Sequence, residues 1–218
     1  MTYQKVLIIS GGSISDDFAK EWIGQYQPDF TIVADSGMEF MRRVSLMPDM
    51  IIGDFDSVKA DTLAFFKGQQ GITWKELNPV KDDTDTEFAI RQAISLGAKE
   101  ITVLGATGTR LDHVLGNVAL LGIGLQERIA IQLVDANNRI RMINKSFCLM
   151  KEEQFGNFVS LLPYFGEVKG VTLKGFKYPL ENYTMGTFSS LGISNEIVEE
   201  KAEILFEEGI LLVIEARD

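Results

Sequence analysis

The sequence predicts an α/β protein in two parts: a mostly parallel α/β sheet domain over residues 1–136, then an antiparallel β-sandwich domain over residues 137–218. Three observations carry this. Five short apolar, β-branched runs in the first half alternate with helical patterns, the signature of a parallel sheet with helices on both faces. After Asp135 the helical patterns stop. Short strand-like runs separated by Gly, Asn and Pro turns take over, as in a sandwich or partial barrel.

The first part reads in order. KVLIIS (5–10), FTIVAD (30–35), DMIIGD (49–54), EITVLG (100–105) and IAIQLVD (129–135) are apolar enough to be strands buried on both faces. Helical patterns fall at 15–26, 37–45, 58–67, 84–96 and 110–122. ANN (136–138) is the joint. Beyond it come RIRMIN (139–144), FCLM (147–150), FVSLLPY (158–164), VTLKGF (171–176), AEILF (202–206) and ILLVIEAR (210–217). Open parallel sheets bind ligands beyond the carboxyl ends of their strands, so the residues just after each strand matter most.

Composition narrows the partners. Arg and Lys total 21 against 31 Asp and Glu, a net charge of −10. That balance argues against nucleic acid and against an anionic membrane surface. It leaves room for an anionic substrate, because divalent cations reverse the sign locally. The single Cys148 forms no internal disulfide and fits a reducing compartment. MTYQKVLIISGGS lacks signal-peptide architecture, and VLGNVALLGIGL is too short to span a bilayer. A soluble cytoplasmic protein is expected.

Three acidic or glycine-rich clusters follow strands. In IIGDFDSV (51–58), an extended backbone would turn Asp54 and Asp56 to one side and Phe55 to the other. A divalent cation would remove the repulsion between the two carboxylates, and Mg²⁺ prefers such oxygen ligands. The plainer alternative makes Asp54 a turn residue and Asp56 or Ser57 the cap of a helix starting near Val58. In KDDTDTEFAI (81–90), Thr84 and Glu87 form a capping box that starts a helix at Asp85. Asp85 also suits the helix dipole there. The box leaves Lys81, Asp82 and Asp83 unexplained; Lys81 is a phosphate contact or a local counter-charge.

The third cluster is GATGTRLDHVLGN (105–117). Gly105 and Gly108 allow close backbone approach ahead of a helix N-terminus, a natural anion site. Thr109 with Asp112 fits a capping pattern. Arg110 can grip phosphate bidentately. His113, the only histidine, shares a helix face with Asn117 at i, i+4. This is not a Walker A loop, and GGSIS (11–15) is not a GxGxxG fingerprint. With no G-x-S-x-G elbow and one histidine, a serine hydrolase is disfavoured. Asp35, in ADSG, joins the clusters from the end of the second strand. Carboxylates, glycines, one Lys and one Arg converging at one sheet edge describe a metal–nucleotide phosphate site.

GDFDS (53–57), KDDTD (81–85), GATGTRLDHVLGN (105–117), GFKYPL (175–180) and GISN (192–195) together resemble the thiamin pyrophosphokinase family, in its order and across most of the chain. The resemblance implies transfer of pyrophosphate from ATP to the hydroxyethyl group of thiamin, releasing AMP, by a homodimer with active sites at the subunit interface. It implies Asp54, Asp56 and Asp85 as Mg²⁺ ligands, with Asp82 supporting them. Lys81 and Arg110 become phosphate contacts. Asp35, Gly105, Gly108, Asp112, His113 and Asn117 shape the ATP site, and Ser194 and Asn195 meet thiamin. One loop departs: where the family often has ADGGAN, this chain has ADSGMEF, with Asp35 and Gly37 kept and Glu39 replacing Asn. Two other functions fit the motifs: a pyrophosphokinase acting on another alcohol such as a hydroxymethylpterin, or a non-catalytic nucleotide- or metal-binding regulatory module.

Overall fold

The structure is a computed structural model that describes residues 3–78 and 83–218. The chain divides into two compact units, Met1–Ala136 and Asn137–Asp218. In the first unit β1 (Lys5–Ile9), β2 (Phe30–Ala34), β3 (Met50–Gly53), β4 (Thr73–Glu76), β5 (Glu100–Leu104) and β6 (Ala130–Val134) run parallel in the order β4-β3-β2-β1-β5-β6. Helices α1 (Asp16–Tyr26), α2 (Gly37–Arg43), α3 (Ala60–Lys67), α4 (Asp85–Ser95) and α5 (Leu111–Glu127) connect them. Successive residues Val6, Leu7, Ile8 and Ile9 are all buried, so both faces of the central strand are covered. This is the parallel α/β arrangement the apolar runs imply. β4 is an addition: TWKE is polar and half-exposed because it lies at the sheet's edge. α3 begins at Ala60 rather than near Val58.

The second unit is antiparallel throughout. Its strands are β7 (Asn138–Ile143), β8 (Phe147–Met150), β9 (Phe158–Pro163), β10 (Val168–Lys174), β11 (Leu180–Met185), β12 (Lys201–Leu205) and β13 (Leu211–Ala216). One layer runs β7-β13-β9 and the other β11-β10-β12-β8. Val159, Leu161 and Val213 from the first layer pack in one core with Val171, Leu173 and Ile204 from the second. Burying each such side chain contributes about 1.5–3 kcal/mol. β11, LENYTM, escapes a reading by apolar pattern because four of its six residues are exposed. Among the described residues no helix is long and apolar enough to cross a membrane.

Candidate active site

Strand order reverses beside β1, and a cleft of about 880 Å³ opens there, beyond the carboxyl ends of β1, β2, β3 and β5. Parallel register levels the strand ends: Ile9 pairs with Val33 and with Leu104, and Ala34 with Ile52. The residues just beyond therefore meet. Ser10, Asp35, Asp54 and Gly105 all line the cleft.

Asp35, Asp54 and Asp56 each place a carboxylate oxygen within 4.8 Å of the others. A turn gathers them, correcting the extended backbone read from the sequence. Phe55 is left-handed at φ 65°, and the Asp56 N–H donates to Asp54 Oδ1 at 3.2 Å. The Val58 N–H closes the turn on the Phe55 carbonyl at 3.3 Å. Asp35 is itself left-handed, at φ 44°. Gly53, at φ 157°, lets the exit of β3 pass close over it; a Cβ there would lie 3.2 Å from the Asp35 Cα. Ser57 does not cap α3. Its hydroxyl donates to Asp35 Oδ2, and the N-cap is Lys59, which makes no side-chain cap.

The electrostatics match this crowding. Hydrogen bonding to Asp54 and repulsion from it push Asp56 above its ordinary value of 3.8, with smaller pushes from Asp35 and Asp85. Asp35 Oδ1 is buried without a hydrogen-bond partner among the described residues. An orphaned carboxylate oxygen beside two mutually repelling carboxylates is a hard, negatively charged donor set. These residues fit a small divalent cation.

Asp85 lines the same cleft, outside the tight group of three. Thr84 caps its helix, accepting from the Glu87 N–H at 3.2 Å. The hydroxyls of Ser10 and Thr86, 2.6 Å apart and buried, tie the first turn of α4 to the loop after β1. That loop, Gly11–Ser13, is not among the candidate residues the sequence motifs mark. It forms one wall of the cleft, with Gly12 N–H donating to the Gly105 carbonyl and Ser13 N–H to the Thr107 carbonyl, both at 2.8 Å. Only glycine fits at 12, because a Cβ would lie 2.3 Å from the Thr107 oxygen. The available signal was a glycine pair directly after the first strand.

Gly108, Arg110, Asp112, His113 and Asn117 also line the cleft. Arg110 grips Asp112, Nη2 at 2.5 Å and Nε at 3.2 Å, which lowers the Asp112 carboxyl to about 2. Both side chains are largely exposed, so the pair is weak and the guanidinium can exchange it for a phosphate. Arg110 is also the N-cap of α5, with no side-chain cap, so Thr109 does not play that part. His113 is exposed. Asn117 Nδ2 donates to the Ala106 carbonyl at 2.8 Å and holds the loop against α5. Lys81 and Asp82 lie outside the described residues. Glu39, the departure from the family pattern, accepts from the Lys59 N–H and the Thr62 hydroxyl, each at 3.0 Å, and so joins α2 to the start of α3.

In the second unit Ser194 is exposed and Asn195 buried. Asn195 Oδ1 accepts from the Tyr178 N–H at 3.0 Å and the Glu196 N–H at 2.9 Å, while Nδ2 donates to the Tyr178 carbonyl at 2.8 Å. Its amide clamps GFKYPL to GISN.

A parallel α/β unit with an acidic cleft at its switch point, followed by an antiparallel sandwich, defines a class of two-unit α/β–β proteins. Residues 25–133 match the thiamin pyrophosphokinase catalytic domain, and residues 146–211 the thiamin pyrophosphokinase vitamin B1 binding domain. The chain belongs to the thiamin pyrophosphokinase family. It is similar to the thiamine pyrophosphokinase of Bacillus subtilis (strain 168), 31% identical over 198 residues, 90% of this chain and 87% of that one. The crystal structure of thiamine pyrophosphokinase from Bacillus subtilis superposes with a TM-score of 0.88, covering 99% of this chain and 100% of that one at 31% identity. Yeast thiamin pyrophosphokinase shares the fold, with a TM-score of 0.78 at 18% identity, covering 99% and 87%.

Proposed function

We propose that the protein transfers the terminal pyrophosphate of ATP to the hydroxyethyl oxygen of thiamin, giving thiamin diphosphate and AMP, with Mg²⁺ as its metal. The observation that carries this reading is the convergence of Asp35, Asp54 and Asp56 in the cleft of a chain of this family. Asp54 and Asp56 would hold the ion, with Asp85 and Asp35 beside them and Asp82 in support. When bound, Mg²⁺ neutralises phosphate charge as it develops.

The rest is positioning and electrostatics by the chain's own groups. Arg110 and Lys81 grip phosphate. Gly105, Gly108 and the Gly11–Ser13 loop let the nucleotide approach the backbone, while Asp112, His113 and Asn117 shape that wall. The thiamin hydroxyl attacks the β-phosphorus in line, forming the new O–P bond as the bond to the oxygen bridging to the α-phosphorus breaks. AMP leaves, and a site carboxylate takes the hydroxyl proton. Ser194 is the open thiamin contact, with Asn195 fixing its segment. The acidic cleft also favours the cationic thiazolium.

The protein works in the cytoplasm as a homodimer with its active sites at the subunit interface. Exposed Leu111 and Leu115 on α5 of the first unit, and separately exposed Phe188, Leu191 and Ile193 of the second, support the presence of a partner. The test is AMP release in the presence of thiamin, ATP and Mg²⁺, with each omitted in turn. AMP formation only with all three is expected. Release with a hydroxymethylpterin but not with thiamin would overturn the acceptor; binding of ATP with no turnover on any alcohol would favour a regulatory role.

A further inference from the structure

The turn that carries Asp54 and Asp56 depends on a left-handed phenylalanine. Phe55 has φ 65°, a region bulky L-residues rarely occupy. Such a conformation persists only where its surroundings over-determine it. The hydrogen bonds of the turn, Asp56 N–H to the Asp54 carboxylate and Val58 N–H to the Phe55 carbonyl, do not use the ring. Glycine would take this φ without steric cost, yet a phenylalanine stands here. The ring meets Trp74 edge-on, with centroids 5.4 Å apart and planes at 77°, a favoured aromatic geometry. Trp74 sits on β4, pinned in register opposite Ile51 of β3. Neither ring offers a ligand atom, and both are half-buried.

We propose that Phe55 and Trp74 are positioning residues: their edge-to-face contact holds the 54–56 turn left-handed and so sets Asp54 and Asp56 against Asp35 before any ion arrives. This rests on reading those three carboxylates as a cation site. It gives the polar edge strand β4 a role in the cleft, although none of its residues lines it.

The probe is Mn²⁺ binding to the nucleotide-free protein, read by electron paramagnetic resonance of the free ion, with thermal unfolding followed in parallel. Trp74→Ala should weaken Mn²⁺ binding at least ~10-fold, as loss of an outer-shell support does, while the melting midpoint moves little. Trp74→Phe, which keeps a ring, should stay within about threefold of the parent. Phe55→Leu should weaken binding as Trp74→Ala does, and it stands in if Trp74→Ala does not fold. In turnover, Trp74→Ala should raise the metal concentration needed for half-maximal rate and recover at high Mn²⁺. Binding within about twofold of the parent in both Trp74→Ala and Phe55→Leu would overturn the proposal. If the parent and Asp54→Asn bound Mn²⁺ equally, the cation-site reading itself would fail, and this inference with it.

Discussion

Replacing Glu215 with glutamine should strongly destabilise the second unit. Glu215 is fully buried in β13. Arg139 donates to both carboxylate oxygens, Nε at 2.9 Å and Nη2 at 2.6 Å; Arg141 donates to Oε1, and the Phe155 N–H to Oε2 at 3.0 Å. The guanidiniums lie over aromatic rings, Arg139 over Phe155 and Arg141 over Phe147, so they are held where the carboxylate is. Glutamine keeps the shape, removes the charge and turns one acceptor into a donor facing a cation. Breaking a buried ion pair from one side costs about 3–5 kcal/mol. At about 2–4 °C per kcal/mol for a chain of this size, the midpoint should fall by roughly 6–20 °C.

The acid limb gives a second readout. Burial pushes the Glu215 carboxyl up, but Arg139 and Arg141 outweigh it and hold the group below its ordinary 4.5. A lowered carboxyl contributes stability that is present above pH 4.5 and is lost as pH falls through the folded-state value. The gap between parent and Glu215→Gln should therefore narrow in acid. Urea unfolding followed by circular dichroism at neutral and acidic pH measures both effects. A loss below about 1 kcal/mol at neutral pH, where a one-sided break of a buried pair should cost several times that, would refute the argument.

Asp54→Asn or Asp56→Asn should cut turnover at least ~100-fold, the scale of losing a key electrostatic group, with stability unchanged or raised as repulsion is relieved. Near-normal turnover in steady-state assays of both variants would return these acids to a turn-forming role. Gly12→Ala should cost about 1–3 kcal/mol in urea unfolding and weaken ATP binding, because the added methyl forces two backbone loops apart. Gly24→Ala, in α1 with open space around its Cβ, should instead gain about 0.5–1 kcal/mol, and a matching loss at both sites would contradict the packing argument.

Local rules proved readable where they had no tertiary competitor. Thr84 caps α4 by accepting from the Glu87 N–H because both lie within one helical turn, while the Glu87 carboxylate accepts from Arg91, so only the Thr84 half of the box is shown. Ser57 and Thr109 look equally suited to capping and do not cap, because Ser57 finds the Asp35 carboxylate and α5 begins after Arg110. β4 and β11 stayed hidden because edge strands carry polar, exposed residues and therefore no apolar signal. The sequence places Asp35 beside the acidic clusters, but its position in the tight group, ahead of Asp85, comes from the pairing of β2 with β3.

By itself the sequence determined the two-part α/β-then-β plan, the strands buried on both faces, and the edge of the sheet at which the acids, glycines, Arg110 and His113 gather. Those follow from periodicity and from what comes directly after each strand, both properties of contiguous residues. Tertiary structure alone decided that Asp54 and Asp56 meet through a left-handed turn rather than along an extended strand, that Gly11–Ser13 walls the cleft, and that Asn195 spends its amide on Tyr178. Each depends on a residue far away in the chain, Trp74, Gly105 or Tyr178, and no local pattern records which distant atom will be within reach.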